Sequence, residues 1–130
     1  TVDTVITGDD VLPYKDGCFY WGYFSSIVVH PEYRQHCVAT QMLLYWSNLV
    51  LRLAADRNIY FKKIVADAVS DIGEHLLSEL GFTLIRPSMH KSKIMTLDLF
   101  EDNSCNSKFR KNLTEIHREY SKKEGKCNAI

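Results

Sequence analysis

Several features that commonly announce a function are absent from this chain of 130 residues. Basic and acidic residues are equal in number, 16 of each, so no charge excess favours nucleic acid or a membrane surface as a partner. The apolar runs are too short and too interrupted to span a bilayer. The first residues have neither the basic region nor the apolar stretch of a signal peptide, which predicts a cytoplasmic protein.

Cysteine is scarce, and its spacing matches none of the common metal or redox motifs. The four cysteines are Cys18, Cys37, Cys105 and Cys127. They include no CxxC pair, and no Cys/His spacing among them is typical of a zinc site. We therefore expect free thiols in a reducing compartment and no bound metal.

Glycine is missing where the surrounding pattern favours it. Residues 25–43 read SSIVVHPEYRQHCVATQML: an apolar stretch, a polar turn from Glu32 to His36, and then a helical pattern. A strand, a tight turn and a helix often form a phosphate-binding site, because the first N–H groups of a helix are unpaired. Glycine usually supplies the positive φ or the close approach that such turns need. This turn contains none.

The hydrophobic pattern predicts alternating strands and helices that end in a hairpin, which indicates an α/β fold with a mixed sheet flanked by helices. The first strand stays apolar over successive residues near its end, so we expect both of its faces to be covered there. In order, the predicted elements are a strand over Cys18–Val29, a helix from Val38 to about Arg57, a strand over Lys63–Ala68, a helix between the N-cap Ser70 and the C′ residue Gly81, and strands in 83–85 and 91–100.

The last part of the chain is highly charged but carries one narrow apolar stripe. Phe109, Leu113, Ile116 and Tyr120 recur at i, i+4, i+7 and i+11, which is helical spacing. We expect a polar helix that packs this face on the domain or on a partner and frays after Lys122. The chain is thus divided into a domain over 1–102 and a helical tail over 103–130.

Two motifs together resemble the GCN5-related N-acetyltransferases. Val29, Pro31 and Arg34 match the first part of that family's acetyl-CoA signature, V-x-P-x-x-R. Arg34, Cys37 and Ala39 fall on the Arg, Gly and Gly/Ala positions of its second part, Arg/Gln-x-x-Gly-x-Gly/Ala. Further on, SDIGEHLLSELGFTLI resembles the family's later helix with its terminal Leu-Gly-Phe. The two motifs occur in the family's order and at a suitable separation.

The resemblance covers roughly residues 20–100 and implies an acyl-CoA N-acyltransferase fold. It implies that an amine of a small molecule or a protein attacks the thioester of acetyl-CoA directly. In such a fold the first strand diverges from its neighbour, and its backbone pairs with the pantetheine arm while the following turn binds the pyrophosphate. The positions to which the resemblance assigns contacts with acetyl-CoA are Ile27, Val28, Val29, Arg34, Gln35, His36, Cys37, Val38, Ala39, Thr40 and Ser70.

Departures from the family's pattern leave the catalytic residues unassigned. Cys37 replaces a glycine, and Ser70 replaces an asparagine that is frequent at the start of the later helix. Leu77 stands where many members carry a tyrosine as general acid, and it cannot donate a proton. No Asp or Glu lies in Cys18–Val29, where a base would sit. The nearby titratable or hydroxyl candidates are Tyr20, Tyr23, Ser25 and His75.

Two other interpretations remain open at the level of sequence. One is a degenerate domain of the same fold that binds CoA weakly or not at all and serves as an interaction module. The other is a reactive thiol at Cys37, because a helix N-terminus lowers a thiol pKa. The family has two helices and further strands before its signature, so we also expect a fold that is incomplete at its N-terminus. An upstream segment or a second copy of the chain would then complete the sheet.

Overall fold

The computed structural model describes Asp9 and residues 11–89, 91–101 and 105–123. Within these residues the elements follow the predicted alternation. They are β1 (Phe19–Phe24), a short 3₁₀ helix (Pro31–Tyr33), α1 (Val38–Arg57), β2 (Tyr60–Ala68), α2 (Asp71–Leu80), β3 (Thr83–Pro87), β4 (Lys93–Asp98) and α3 (Ser107–Ser121).

The strands form a mixed sheet in the order β1-β2-β4-β3. β1 and β2 are parallel, whereas β4 is antiparallel to both β2 and β3. The predicted α/β class with a mixed sheet flanked by helices is therefore confirmed. Because β1 and β2 are parallel, the turns that follow them lie at the same edge of the sheet. Ligands of open α/β sheets bind at this edge, beyond the carboxyl ends of the strands.

The two faces of the sheet differ in what covers them. On the core face, Ile64 and Ala66 of β2 are at most 3% exposed and belong to one hydrophobic cluster with residues of all three helices. Gly22 and Phe24 of β1 pair with Ile64 and Ala66 and lie on the same face. Side chains alternate along a strand, so Trp21 and Tyr23 lie on the opposite face, here called the open face. They remain 63% and 39% exposed. An exposed aromatic surface is the property expected of an incompletely covered sheet.

The helix α2 begins and ends at the residues that the sequence indicates. The Ser70 Oγ accepts a hydrogen bond from the Gly73 N–H at 3.0 Å, so Ser70 is its N-cap. Gly81 ends the helix with φ 107°, in the left-handed region that glycine favours. Asp71 and Glu74 add negative charge to the first turn, which stabilises the positive end of the helix dipole.

β1 ends five residues before its predicted end at Val29. Its last pair with β2 joins Phe24 to Ala66, and beyond it the chain leaves the sheet. Ile27 and Val28 are 38% and 78% exposed, so the prediction that both faces of this segment are covered is wrong. Ile27 instead lines a groove between this segment and α1, and the Val28 side chain faces solvent.

The helix α3 belongs to the hydrophobic core. Its stripe of Phe109, Leu113, Ile116 and Tyr120 is at most 5% exposed, and the helix packs against α1. The prediction that one face of this helix docks on the domain is confirmed. Among the helices of the described residues, none combines the length and the apolarity needed to cross a membrane.

The predicted free thiols are confirmed for the cysteines that the structure describes. Cys18, Cys37 and Cys105 form no disulfide among the described residues, and Cys127 lies outside them. Cys105 is buried in the hydrophobic cluster, whereas Cys37 is exposed. Cys105 therefore has a packing role.

Tyr120 ties α3 to the sheet through its hydroxyl group. Its Oη accepts a hydrogen bond from the Phe61 N–H at 2.9 Å, and burial raises the Tyr120 pKa well above its ordinary value. Tyr120→Phe keeps the ring contacts with Tyr60 and Phe100 but leaves this N–H without its partner. We expect urea denaturation to show a free energy of unfolding lower by about 1–3 kcal/mol. Tyr45→Phe, on an exposed ring, is the matched control, and an equal loss in both variants would contradict this role.

Candidate functional site

A groove opens just after β1, where the chain stops pairing with β2 and runs beside α1. Its volume is about 290 Å³, at the small end of the range for ligand sites. Phe24 and Trp46 pack edge to face beside it, with ring centroids 4.8 Å apart. The groove is largely apolar and suits one end of a slender molecule. It is lined by Tyr23, Phe24, Ser25, Ser26, Ile27, Met42, Leu43 and Trp46.

The segment beside the groove offers backbone groups to a ligand. Within the described part of the chain, the N–H and C=O groups of Ile27 and Val28 have no hydrogen-bond partner. Free backbone groups at a sheet edge can pair with an added strand or with another chain that contains amides. The groove therefore combines an apolar wall with a row of unsatisfied donors and acceptors.

The polar turn that follows is held by its own hydrogen bonds. The Tyr33 N–H donates to the His30 carbonyl at 2.9 Å, within the 3₁₀ helix. The Arg34 Nε donates to the Val29 carbonyl at 2.9 Å. Arg34 thus closes the turn onto the end of the diverging segment. The Val29 carbonyl already accepts this bond, whereas Ile27 and Val28 keep their groups free.

The turn has the backbone conformation of a glycine turn without any glycine. Gln35 and Cys37 adopt positive φ angles of 65° and 59°. For residues with a Cβ the left-handed region costs about 1–2 kcal/mol each. Such strain persists only where the surrounding structure holds it, and it is concentrated at ligand-binding sites. The turn therefore keeps the positive φ angles that glycine favours, and Gln35 and Cys37 adopt them at a cost in strain.

The N-terminus of α1 has unpaired N–H groups. Cys37 is its N-cap and makes no side-chain capping bond, and the first helical bond runs from the Gln41 N–H to the Cys37 carbonyl at 3.0 Å. The N–H groups of Val38, Ala39 and Thr40 therefore precede the first helical hydrogen bond. No acidic residue lies in the first turn of this 20-residue helix. The arrangement favours an anion at this end.

The other helix N-termini are occupied by side chains. Ser70 caps α2, and the Asn106 Oδ1 accepts a bond from the Lys108 N–H at 3.0 Å at the start of α3. Of the three helices that the structure describes, α1 is thus the one whose first turn lacks both a side-chain cap and an acidic residue. This difference places the candidate anion site at α1.

The predicted site residues fall at one edge of the sheet. All but one of them lie in the continuous segment from Ile27 to Thr40, which follows β1. Ser70 lies after β2, at the same edge, with its Oγ engaged as the N-cap. Gln35 and His36 have exposed side chains, so they lie at the rim of the turn.

The candidate catalytic residues do not all meet at the groove. Tyr23 and Ser25 line it. The Tyr20 hydroxyl instead binds two backbone groups of the preceding segment, at 2.7 and 3.0 Å. His75 is 78% exposed on α2 and lies 3.5 Å from a carboxylate one turn further along. Leu77 is 7% exposed in the core, where a hydrocarbon side chain packs well.

Asp67 is a candidate that sequence reasoning missed. It directly follows Ala66, the last residue of β2 that pairs with β1, and alternation puts it on the open face. Its Oδ1 is buried and has no hydrogen-bond partner within the described residues. The sequence feature that could have indicated it is an acidic residue inside an apolar strand, IVADAV. A missing partner, however, is visible only in three dimensions.

The site as a whole suits an elongated ligand with distinct ends. An apolar groove, a row of free backbone groups and a positive helix N-terminus follow one another along one edge of the sheet. No protein-family model, no curated protein and no solved structure matches this chain.

Proposed function

We propose that this protein is an acetyl-CoA-dependent N-acetyltransferase. One arrangement carries the proposal: the groove, the free backbone of Ile27 and Val28, and the uncapped N-terminus of α1 occur in sequence. Acetyl-CoA presents a thioester, two amides and a pyrophosphate in the same sequence. The resemblance of the two motifs to the GCN5-related N-acetyltransferases supports the proposal independently of this geometry.

The electrostatics of the turn favour the pyrophosphate end of the ligand. The N–H groups of Val38, Ala39 and Thr40 supply donors at the positive end of the α1 dipole. Arg34 uses its Nε within the turn, and a guanidinium has four further N–H donors. Hydrogen bonds to a charged phosphate oxygen are about twice as strong as neutral ones. The turn thus has the donors that a diphosphate requires.

The proposed reaction is a direct transfer. The nitrogen lone pair of the acceptor amine attacks the thioester carbonyl, a C–N bond forms, and the C–S bond breaks to release the CoA thiolate. Backbone N–H groups of the diverging segment would stabilise the oxyanion that develops. A base must take the amine proton, and the thiolate either leaves as such or gains a proton from an acid. Tyr23 and Ser25 are the predicted candidates that reach the groove.

Calorimetry with acetyl-CoA tests the proposal. We expect saturable binding to the folded chain, and weaker binding of pantetheine, which lacks the phosphates that α1 would hold. No heat at millimolar acetyl-CoA would reject the acetyltransferase. The interaction module would then be the better interpretation, favoured by the strained Cys37 and the buried Leu77.

Cys37→Gly should bind acetyl-CoA at least as tightly as the native chain. Glycine adopts the observed φ of 59° without the steric cost of a Cβ, about 1 kcal/mol or more, and keeps the N–H in place. Part of this gain is offset by the greater freedom of glycine in the unfolded chain. Calorimetry and urea denaturation measure the two effects. Cys37→Val, a β-branched residue with the same φ, should lower stability.

A tenfold loss of acetyl-CoA affinity in Cys37→Gly would show that the turn is not the phosphate site. The comparison with Cys37→Ala separates strain from thiol chemistry, because alanine removes the sulfur but keeps the Cβ. If the thiol were the nucleophile, both variants would lose transfer equally while they retain binding. We expect both to transfer acetyl groups.

A further inference from the structure

The groove beside α1 is larger than an acetyl group requires. Its volume is about 290 Å³, and it is open to solvent. An apolar cavity of about 150 Å³ is enough to bind benzene, which has six carbons. Half of the groove would therefore hold a chain of about six carbons, even if the other half stays with solvent. An acetyl group has two carbons and would leave most of the groove to water beside apolar side chains.

The walls of the groove are apolar and are held in place by packing. Within the described part of the chain, no Asp, Glu, Lys, Arg or His side chain lines it. Leu43 is 2% exposed and belongs to the hydrophobic cluster. Besides its contact with Trp46, the Phe24 ring lies 5.8 Å from the Phe82 ring, measured between centroids. These contacts fix the rings, so the groove is formed before a ligand arrives.

Three of the large side chains that line the groove are exposed to solvent. Tyr23 is 39%, Ile27 38% and Met42 45% exposed. Single exposed apolar side chains are ordinary on a protein surface, but these three line the same groove. A clustered apolar surface of this kind favours an alkyl chain that removes it from water.

The order of groups along this edge of the sheet places the acyl end of a CoA thioester at the groove. The pyrophosphate would lie at the N-terminus of α1, and the amides of the pantetheine arm would lie beside Ile27 and Val28. The thioester follows these amides at the end of the arm remote from the pyrophosphate. The acyl chain beyond the thioester then lies between Tyr23 and Met42, which line the groove.

We propose that the groove binds the acyl chain of the donor, and that it binds acyl groups of about six carbons more tightly than acetyl. This assignment rests on the proposed use of a CoA thioester and specifies its acyl group. The bonds that form and break are those of the acetyl transfer, because only the length of the alkyl chain on the carbonyl carbon changes.

Calorimetry with acetyl-, butanoyl-, hexanoyl- and dodecanoyl-CoA tests the length of the groove. A fully buried methylene raises affinity about fourfold, and a methylene in an open groove raises it less. We therefore expect hexanoyl-CoA to bind at least tenfold more tightly than acetyl-CoA. Once the groove is full the gain should stop, so dodecanoyl-CoA should bind within threefold of hexanoyl-CoA. A gain that continues undiminished to dodecanoyl-CoA would indicate adsorption on exposed apolar surface and would overturn the inference.

Met42→Trp should fill part of the groove with a larger side chain at an exposed position of α1. We expect the ratio of hexanoyl-CoA to acetyl-CoA affinity to fall at least fivefold. Tyr45→Trp is the matched control, because Tyr45 is exposed on the same helix and does not line the groove, so the ratio should stay within twofold. An unchanged ratio in Met42→Trp would overturn the inference. If this variant does not fold, the chain-length series on the native chain decides.

Thioesters of pantetheine separate the acyl site from the phosphate site, because they keep the acyl chain and the amides but lack the phosphates. Equal affinities for acetyl-CoA and hexanoyl-CoA would overturn the chain-length preference and leave the proposed acetyl transfer intact. If the chain failed to bind acetyl-CoA but bound S-hexanoyl-pantetheine at least tenfold more tightly than S-acetyl-pantetheine, the groove would be supported as an acyl site and the phosphate site would be wrong. Equal affinities for these two pantetheine thioesters, or no binding of either, would overturn the inference.

Discussion

Phe109→Ala should lower the free energy of unfolding by about 3–5 kcal/mol. Phe109 is fully buried on α3, in the same cluster as Leu43 and Val50 of α1. Alanine removes the ring's contacts and leaves a cavity that two packed helices fill poorly. Because domains of this size have about 5–15 kcal/mol of stability in total, the variant would be marginally folded. Urea denaturation followed by circular dichroism measures the change.

The control for this variant is Lys108→Ala, an exposed position on the same turn of α3. It should change the free energy of unfolding by about 0.5 kcal/mol or less. Polar contacts also join the helices, because the Asn112 Nδ2 donates to the fully buried Ser47 Oγ at 2.9 Å. If Phe109→Ala cost less than 1 kcal/mol, or if α3 melted before the sheet, α3 would be a detachable tail and not part of the core.

Of the two variants Ile27→Pro and Val28→Pro, we expect one to weaken acetyl-CoA binding at least tenfold and the other to have little effect. Neighbouring N–H groups of an extended segment point to opposite sides, so one of the two faces the ligand. Proline removes that donor, and the loss of one ligand hydrogen bond is worth about 1.4 kcal/mol or more, a factor of ten. Calorimetry with acetyl-CoA measures the difference between the two variants.

The proline variants should fold normally, because neither N–H makes a hydrogen bond within the described residues. Val28→Ala is the control for the side chain: it keeps the N–H, and since Val28 is 78% exposed, affinity should change little. Unchanged affinity in both proline variants would contradict strand-like pairing of the ligand. A similar loss in both, with unchanged melting temperatures, would instead indicate a steric requirement.

Local patterns predicted the elements well because local forces set them. The helix from Val38 to Arg57 follows from apolar residues at helical spacing, and α2 follows from a serine cap and a glycine at its C′ position. The stripe on α3 predicted a docked face correctly. The first strand was predicted five residues too long, because a continuous apolar run fits a buried strand and a groove wall equally well.

The sequence by itself determined the alternation of strands and helices, the α/β class, and the turn and helix start at which an anion is expected. Spacing and capping residues act over a few positions and can be read in order. Only the tertiary structure decided that β1 leaves β2 after Phe24, that Cys37 lies in the left-handed region, and that Asp67 lacks a partner. These properties depend on strand register and on which groups from distant parts of the chain meet, and no local pattern encodes them.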